Sequence, residues 1–183
     1  MVNNRRSFLK ALAAGSALGV LGACTVTTSG NVTTVTLNVA KVKAYGTAGI
    51  NAVTTILSIA AVSSAIGAPA VAVIEAADVA LQSALKAFSD AAGSKVMVSY
   101  DSTSFKSQID SLLVDLQSVT SLLGIAVSQA ASTVPNSILI NANTALSALK
   151  TVLSVFEGVL GIVSVSAPHM TEEQALRTLH VSP

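Results

Sequence analysis

The chain has 183 residues, of which 51% are hydrophobic, 10% charged and 3% aromatic, with no tryptophan, one cysteine and a formal net charge of +1. An ordinary soluble protein carries about 25% charged residues, so this surface is built mainly from uncharged groups. One cysteine excludes an intrachain disulfide, the lack of basic runs argues against a nucleic-acid partner, and the scarcity of aromatics removes stacking platforms for bases, sugars or haem.

The N-terminus starts basic, with Arg5, Arg6 and Lys10, runs uncharged from Ala11 to Ala23, and reaches Cys24. This is the charged start and short apolar run of an export signal, too short and too rich in Gly and Ala to span a bilayer well. The order Arg5-Arg6-Ser7-Phe8-Leu9-Lys10 resembles the twin-arginine signal, and Leu21-Gly22-Ala23-Cys24 resembles the lipobox of bacterial lipoproteins. The resemblance ends at Cys24. It implies that residues 1–23 are cleaved, that Arg5, Arg6, Phe8, Leu9 and Lys10 direct export, and that Cys24 is lipidated. It also implies a place on the periplasmic side of the envelope, with Thr25 after the cysteine pointing to the outer membrane. Without the signal, seven Lys/Arg face nine Asp/Glu, and no thiol is left for metal binding or catalysis.

Residues 25–31 read as a polar tether, so 24–37 form an anchored lead-in that closes on a short strand. In that strand Val35, Leu37 and Val39 alternate with Thr34, Thr36 and Asn38. From about Asn38 the period becomes helical. Val42, Tyr45, Gly49, Val53, Ile56 and Ala60 share one face, and Thr47, Asn51, Thr54 and Ser58 the other. Gly67 and Pro69 should end this helix and start the next. The second helix presents Ile74, Ala77, Leu81, Leu85 and Phe88, and Gly93 is its natural stop. Residues 94–101 alternate again, with Val96, Val98 and Tyr100 together. A helical hairpin brings the chain back to where it began, so this second strand, about 95–100, can pair antiparallel with the first, about 32–39.

Phe105, Ile109, Leu112, Leu116, Val119, Leu123 and Ala126 follow a four-three alternation, a heptad seam. A turn around Pro135 leads to a second seam: Ile138, Ala142, Ala145, Leu149, Val152, Phe156, Val159 and Val163. The fold class is therefore mainly all-α: an antiparallel four-helix bundle over 38–164 with a small β pair. After Pro168 the composition changes, and Thr171 with Gln174 makes a capping box for a short helix in a 165–183 tail. Because this tail differs from all that precedes it, Thr171, Glu172, Glu173 and Arg177 are candidate docking residues.

No charge occurs between Lys43 and Glu75 or between Asp115 and Lys150. Pro69, Pro135 and the helically spaced Ser, Thr and Asn within those gaps favour a bundle in water over membrane spans. Catalytic groups are few. His169 and His180 sit in the tail, Glu75 and Asp78 have no histidine at bundle-metal spacing, and Gly46 and Gly49 read as close-packing positions rather than a phosphate loop. The reading is a non-enzymatic lipoprotein without cofactor or metal, a structural or interaction module. Its partners are the membrane, through the N-terminal lipid, and a protein or a second copy. Two other functions fit the same features: a membrane-active bundle that inserts, or a carrier of a small apolar ligand in the bundle core.

Overall fold

A computed structural model describes residues 24–29, 32–101, 103–162 and 170–182. The export-signal residues Arg5, Arg6, Phe8, Leu9 and Lys10, and also Val163 and His169, lie outside them. Strands β1 (Cys24–Ser29), β2 (Val32–Asn38) and β3 (Met97–Ser99) form an antiparallel sheet in the order β1-β2-β3. The β2–β3 pairing sets Leu37 opposite Val98. The β1 strand corrects the expected tether: residues 25–29 pair with β2, Cys24 opposite Leu37 and Ser29 opposite Val32. Its Thr and Val residues suit a pleated strand, and the Gly-Asn dipeptide between the strands is a hairpin signal. In β2, Val35 and Leu37 are buried and Thr34 and Thr36 half-buried, as their alternation requires. Val96 is 71% exposed rather than beside Val98, because the ladder starts one residue later, at Met97.

Asn38 ends the ladder and caps helix α1 (Val39–Leu57), its side chain accepting the Lys41 N–H at 3.2 Å. The buried face carries Val42, Tyr45, Gly49, Val53 and Ile56. The helix stops at Leu57, well before Gly67, and Ala60 is exposed instead of inward. The β-branched run Val53-Thr54-Thr55-Ile56 weakens the last turn, the Ser58 hydroxyl donates to the Thr55 carbonyl at 2.8 Å, and Ile59 is extended. Helix α2 (Ala60–Ala92) then contains the Gly67–Pro69 break inside it, with Gly67 at φ 79°, and ends at Gly93, φ 54°. Ile74, Leu81 and Phe88 are its buried residues on the expected face, with Ala77 and Leu85 half-buried.

Helices α3 (Thr103–Ala130) and α4 (Asn136–Val159) carry the two seams. Ile109, Leu112, Leu116, Val119, Leu123 and Ala126 are buried, as are Ala142, Ala145, Leu149, Val152 and Phe156. Ile138 faces out, 41% exposed, and Leu139 takes its place at 1%. Either residue continues the repeat into Ala142, so spacing alone does not choose between them.

The glycines of α1 show how the helices run. A Cβ on Gly46 would meet Leu85 at 2.9 Å and Leu112 at 3.3 Å. On Gly49 it would meet Leu116 at 2.5 Å and Leu81 at 2.6 Å. Moving up α1 thus moves down α2 and up α3, and Tyr45 stacks on Phe156 of α4 with ring centroids 5.3 Å apart. The result is an up-down-up-down bundle, with the sheet at one end and the Ser58–Ile59 turn, the Gly67 kink and the 131–135 connection at the other. Helix α5 (Glu172–Thr178) has the full capping box of Thr171 with Gln174. It buries Ala175, Leu176, Leu179 and Val181 against α4 and α1, so from residue 170 the tail belongs to the bundle.

Candidate interaction surface

Among the described residues no group of three or more His, Cys, Asp or Glu side chains could hold a metal ion. His180 is exposed at φ 56°, and Leu112, Leu116, Leu149 and Phe156 are fully buried in the bundle interior.

The candidate docking residues divide. Glu172 is turned inward: its side chain is 7% exposed, and its Oε1 accepts from the Lys41 Nζ at 2.9 Å and the Tyr45 hydroxyl at 2.9 Å. A carboxylate in the first turn of α5 also meets the positive end of that helix. Thr171 is committed to the cap, accepting from the Gln174 N–H at 3.2 Å while its own N–H donates to Gln174 Oε1 at 3.0 Å. Glu173 and Arg177 face outward and pair with each other across one turn. The other end of α5 is held by Asn51, whose Nδ2 donates to the Leu179 carbonyl at 2.8 Å. Lys41, Tyr45 and Asn51 are thus the receptor for α5 on the bundle. One sequence signal points to them: a tyrosine on the apolar face of α1, whose hydroxyl needs a partner once buried.

A second polar cluster ties the sheet to α3. The Tyr100 hydroxyl donates to Asp110 Oδ1 at 2.5 Å, and Lys106 donates to Asp110 Oδ2 at 2.6 Å and to the Tyr100 oxygen at 3.1 Å. Lys106 also lies 4.7 Å from the Tyr100 ring centroid. Burial first, then the bond to Asp110, raises the Tyr100 hydroxyl, and the bond to Asp110 raises Lys106. Burial pushes the Asp110 carboxyl up, but the bonds from Lys106 and Tyr100 outweigh it and hold the group below its ordinary value.

Charge is sorted along the long axis. Lys41, Lys43, Lys86, Lys95 and Lys106 lie near the sheet, whereas residues 44–74 and 116–149, free of Asp, Glu, Lys and Arg, meet at the far end. That end lacks charge for about 20 Å along α1, α3 and α4, and for about 12 Å along α2 from Gly67 to Glu75. Helix α5, however, runs beside it with the exposed Glu173–Arg177 pair, Arg177 two residues before the Leu179 carbonyl that Asn51 holds. The uncharged end exposes Val73, Ile125, Ile138 and Ile140. Three acids border it, Glu75, Asp78 and Asp115. Burial raises both the Asp78 and Asp115 carboxyls, and Asp78 Oδ1 has no hydrogen-bond partner while Oδ2 accepts from Gln82 at 2.7 Å.

Three of the described helices are long and apolar enough to cross a membrane by length and composition. The most apolar is α2, whose apolar stretch is 11% buried, against 44% in those of α3 and α4. No protein-family model, curated protein or solved structure matches the chain.

Proposed function

We propose that this chain is a non-enzymatic, lipid-anchored helical module of the bacterial envelope that works by contact rather than by chemistry. The twin-arginine-like segment Arg5–Lys10 carries it across the inner membrane, and Cys24 holds it by lipid, facing the periplasm from the outer membrane. The observation that supports this reading is the sorting of charge. The proposed attachment point begins β1 at the charged end, and the uncharged end, 44–74 with 116–149, is the working surface. Labelled palmitate should enter the wild-type chain and not Cys24→Ala, and globomycin should cause a larger precursor to accumulate. A wild-type chain that takes up no label overturns the anchor.

A second reading has its own observation: three helices of membrane-crossing length and apolarity favour a bundle that opens and inserts. Release of a trapped dye from liposomes would support insertion, and intact vesicles with protein bound would support the contact module.

A further inference from the structure

The order β1-β2-β3 leaves the sheet two edges, and they differ in how they are protected. At one, β3 has three residues and is flanked by Lys95 and Asp101. At the other, β1 runs for six residues, and no Asp, Glu, Lys, Arg or Pro occurs from Cys24 to Asn38. Short length, charge, proline and bulges are the means by which an edge is kept from pairing with another strand. The β1 strand has none of them, since its residues match those of β2 one to one. Among the described residues no strand lies on its outer side.

The ladder fixes which backbone groups of β1 are free. The Tyr100 N–H donates to the Val35 carbonyl and the Val39 N–H to the Val96 carbonyl, both at 2.9 Å, so the odd-numbered residues of β2 turn towards β3. Successive residues of an antiparallel strand bond to opposite sides. Thr34 and Thr36 therefore bond to Thr27 and Thr25, which stand opposite them, and Cys24, Val26 and Thr28 turn their N–H and C=O groups outward. Tyr100, Val35 and Val26 also form one row across the sheet, on the face that meets the bundle. Val35 is 8% exposed and Val26 46%, so the apolar row ends uncovered at the edge.

We propose that β1 pairs antiparallel with β1 of a second copy about a two-fold axis at Val26, joining two three-stranded sheets into one. With Val26 opposite its own counterpart, Cys24 of each copy faces Thr28 of the other. Every outward residue is then matched, with about six backbone hydrogen bonds in all. A register shifted by two residues leaves one outward residue of each copy unmatched. A second copy is favoured over a different strand because the edge is complementary to itself. Val26 meets Val26 and carries the row on to Val35 of the second copy, while the strand has no charge or aromatic group to select another partner. This contact lies at the sheet end rather than the uncharged end, and it does not require Cys24 to be acylated.

The test uses the full chain carrying Cys24→Ala. Analytical ultracentrifugation should show a dimer that grows with concentration, and a weak one, because one strand pair covers less than the about 1,000 Å² of a stable interface. Val26→Pro removes the N–H at the axis but none that bonds to β2, so far-UV circular dichroism and the urea midpoint should hold. Dimerisation should weaken about tenfold or more. Val26→Lys sets like charges face to face at the axis and should also dissolve the dimer, most completely at low salt. A nitroxide on Val26→Cys should show dipolar broadening from its counterpart, and one on Ser132→Cys, exposed at the opposite end of the bundle, none. A chain that stays monomeric into the millimolar range overturns the proposal. So does a dimer that survives both the proline and the lysine, or one in which the label at position 26 stays unbroadened, because another face then makes the contact. Palmitate incorporation at Cys24 reads the anchor separately, and none of these results bears on it.

Discussion

The Tyr45 hydroxyl donates to Glu172 Oε1 at 2.9 Å across 127 residues of sequence, and Lys41 completes the site on the same oxygen. This bond makes the C-terminal helix part of the domain. Glu172→Ala would remove the buried acceptor that the Tyr45 hydroxyl and the Lys41 ammonium share, and should cost about 1–3 kcal/mol in urea unfolding. Tyr45→Phe, which keeps the ring against Phe156, should cost about 1 kcal/mol. The two should couple in a double-mutant cycle, and additive losses would show that the bond contributes nothing.

Removing residues 170–183 should destabilise the fold rather than free it of a tail. Ala175, Leu176, Leu179 and Val181 are buried, and each large side chain contributes about 1.5–3 kcal/mol. The expected loss is about 4–6 kcal/mol, read as a lower urea midpoint and faster amide exchange in α4. An unchanged midpoint would mean that α5 is a separable docking element.

Gly49 and Gly46 should respond differently to alanine. The new methyl at position 49 would press on the fully buried Leu116 and Leu81, and overpacking of this kind costs about 1–3 kcal/mol, more than the gain in helix propensity returns. At position 46 the closest atom belongs to Leu85, which is half-buried and can yield, so Gly46→Ala should be near neutral. Equal thermal shifts for the two variants would contradict this order.

Acid should act on two kinds of carboxylate with opposite sign. Asp110 is held below its ordinary value of 3.8, so its stabilisation is complete above that pH and is lost as pH falls through the lower folded value. Asp78 is raised by burial. Its charged form weakens the fold above the raised value, and the penalty disappears below pH 3.8. Asp78→Asn should therefore raise the urea midpoint at about pH 7 and leave it unchanged at about pH 3. Asp110→Asn should lower the midpoint near neutrality and flatten the loss on acidification. Tyr100 and Lys106, both raised, give stabilisation that fades only as pH climbs past about 10.

The helical seams were readable because burial imposes a period. From Phe105 to Ala126 every expected seam position is buried except the half-buried Phe105, and the sheet pairing of 32–38 with 97–99 follows from a hairpin returning to its start. What the pattern missed was set by tertiary contact. Ile138 and Leu139 fit the repeat equally well, and only packing chose Leu139. The end of α1 at Leu57 lacks a glycine or proline, so nothing near it announces the break. The site that receives α5 needs Lys41, Tyr45 and Asn51 to meet residues more than a hundred positions away, a relation no local periodicity encodes.

The replacement of a slack lead-in by β1 has a mechanical consequence. Cys24 pairs with Leu37, so the chain enters the ribbon at the same end from which β2 passes into α1. A pull applied at Cys24 therefore loads the ladder one rung at a time, from Cys24–Leu37 towards Ser29–Val32, instead of shearing all rungs together. Only β1 can peel in this way, because β2 is held by β3 and by the burial of Val35 and Leu37. Release of residues 24–29 frees about 20 Å of chain, so β1 acts as a stored reach that tension draws out and slack rewinds.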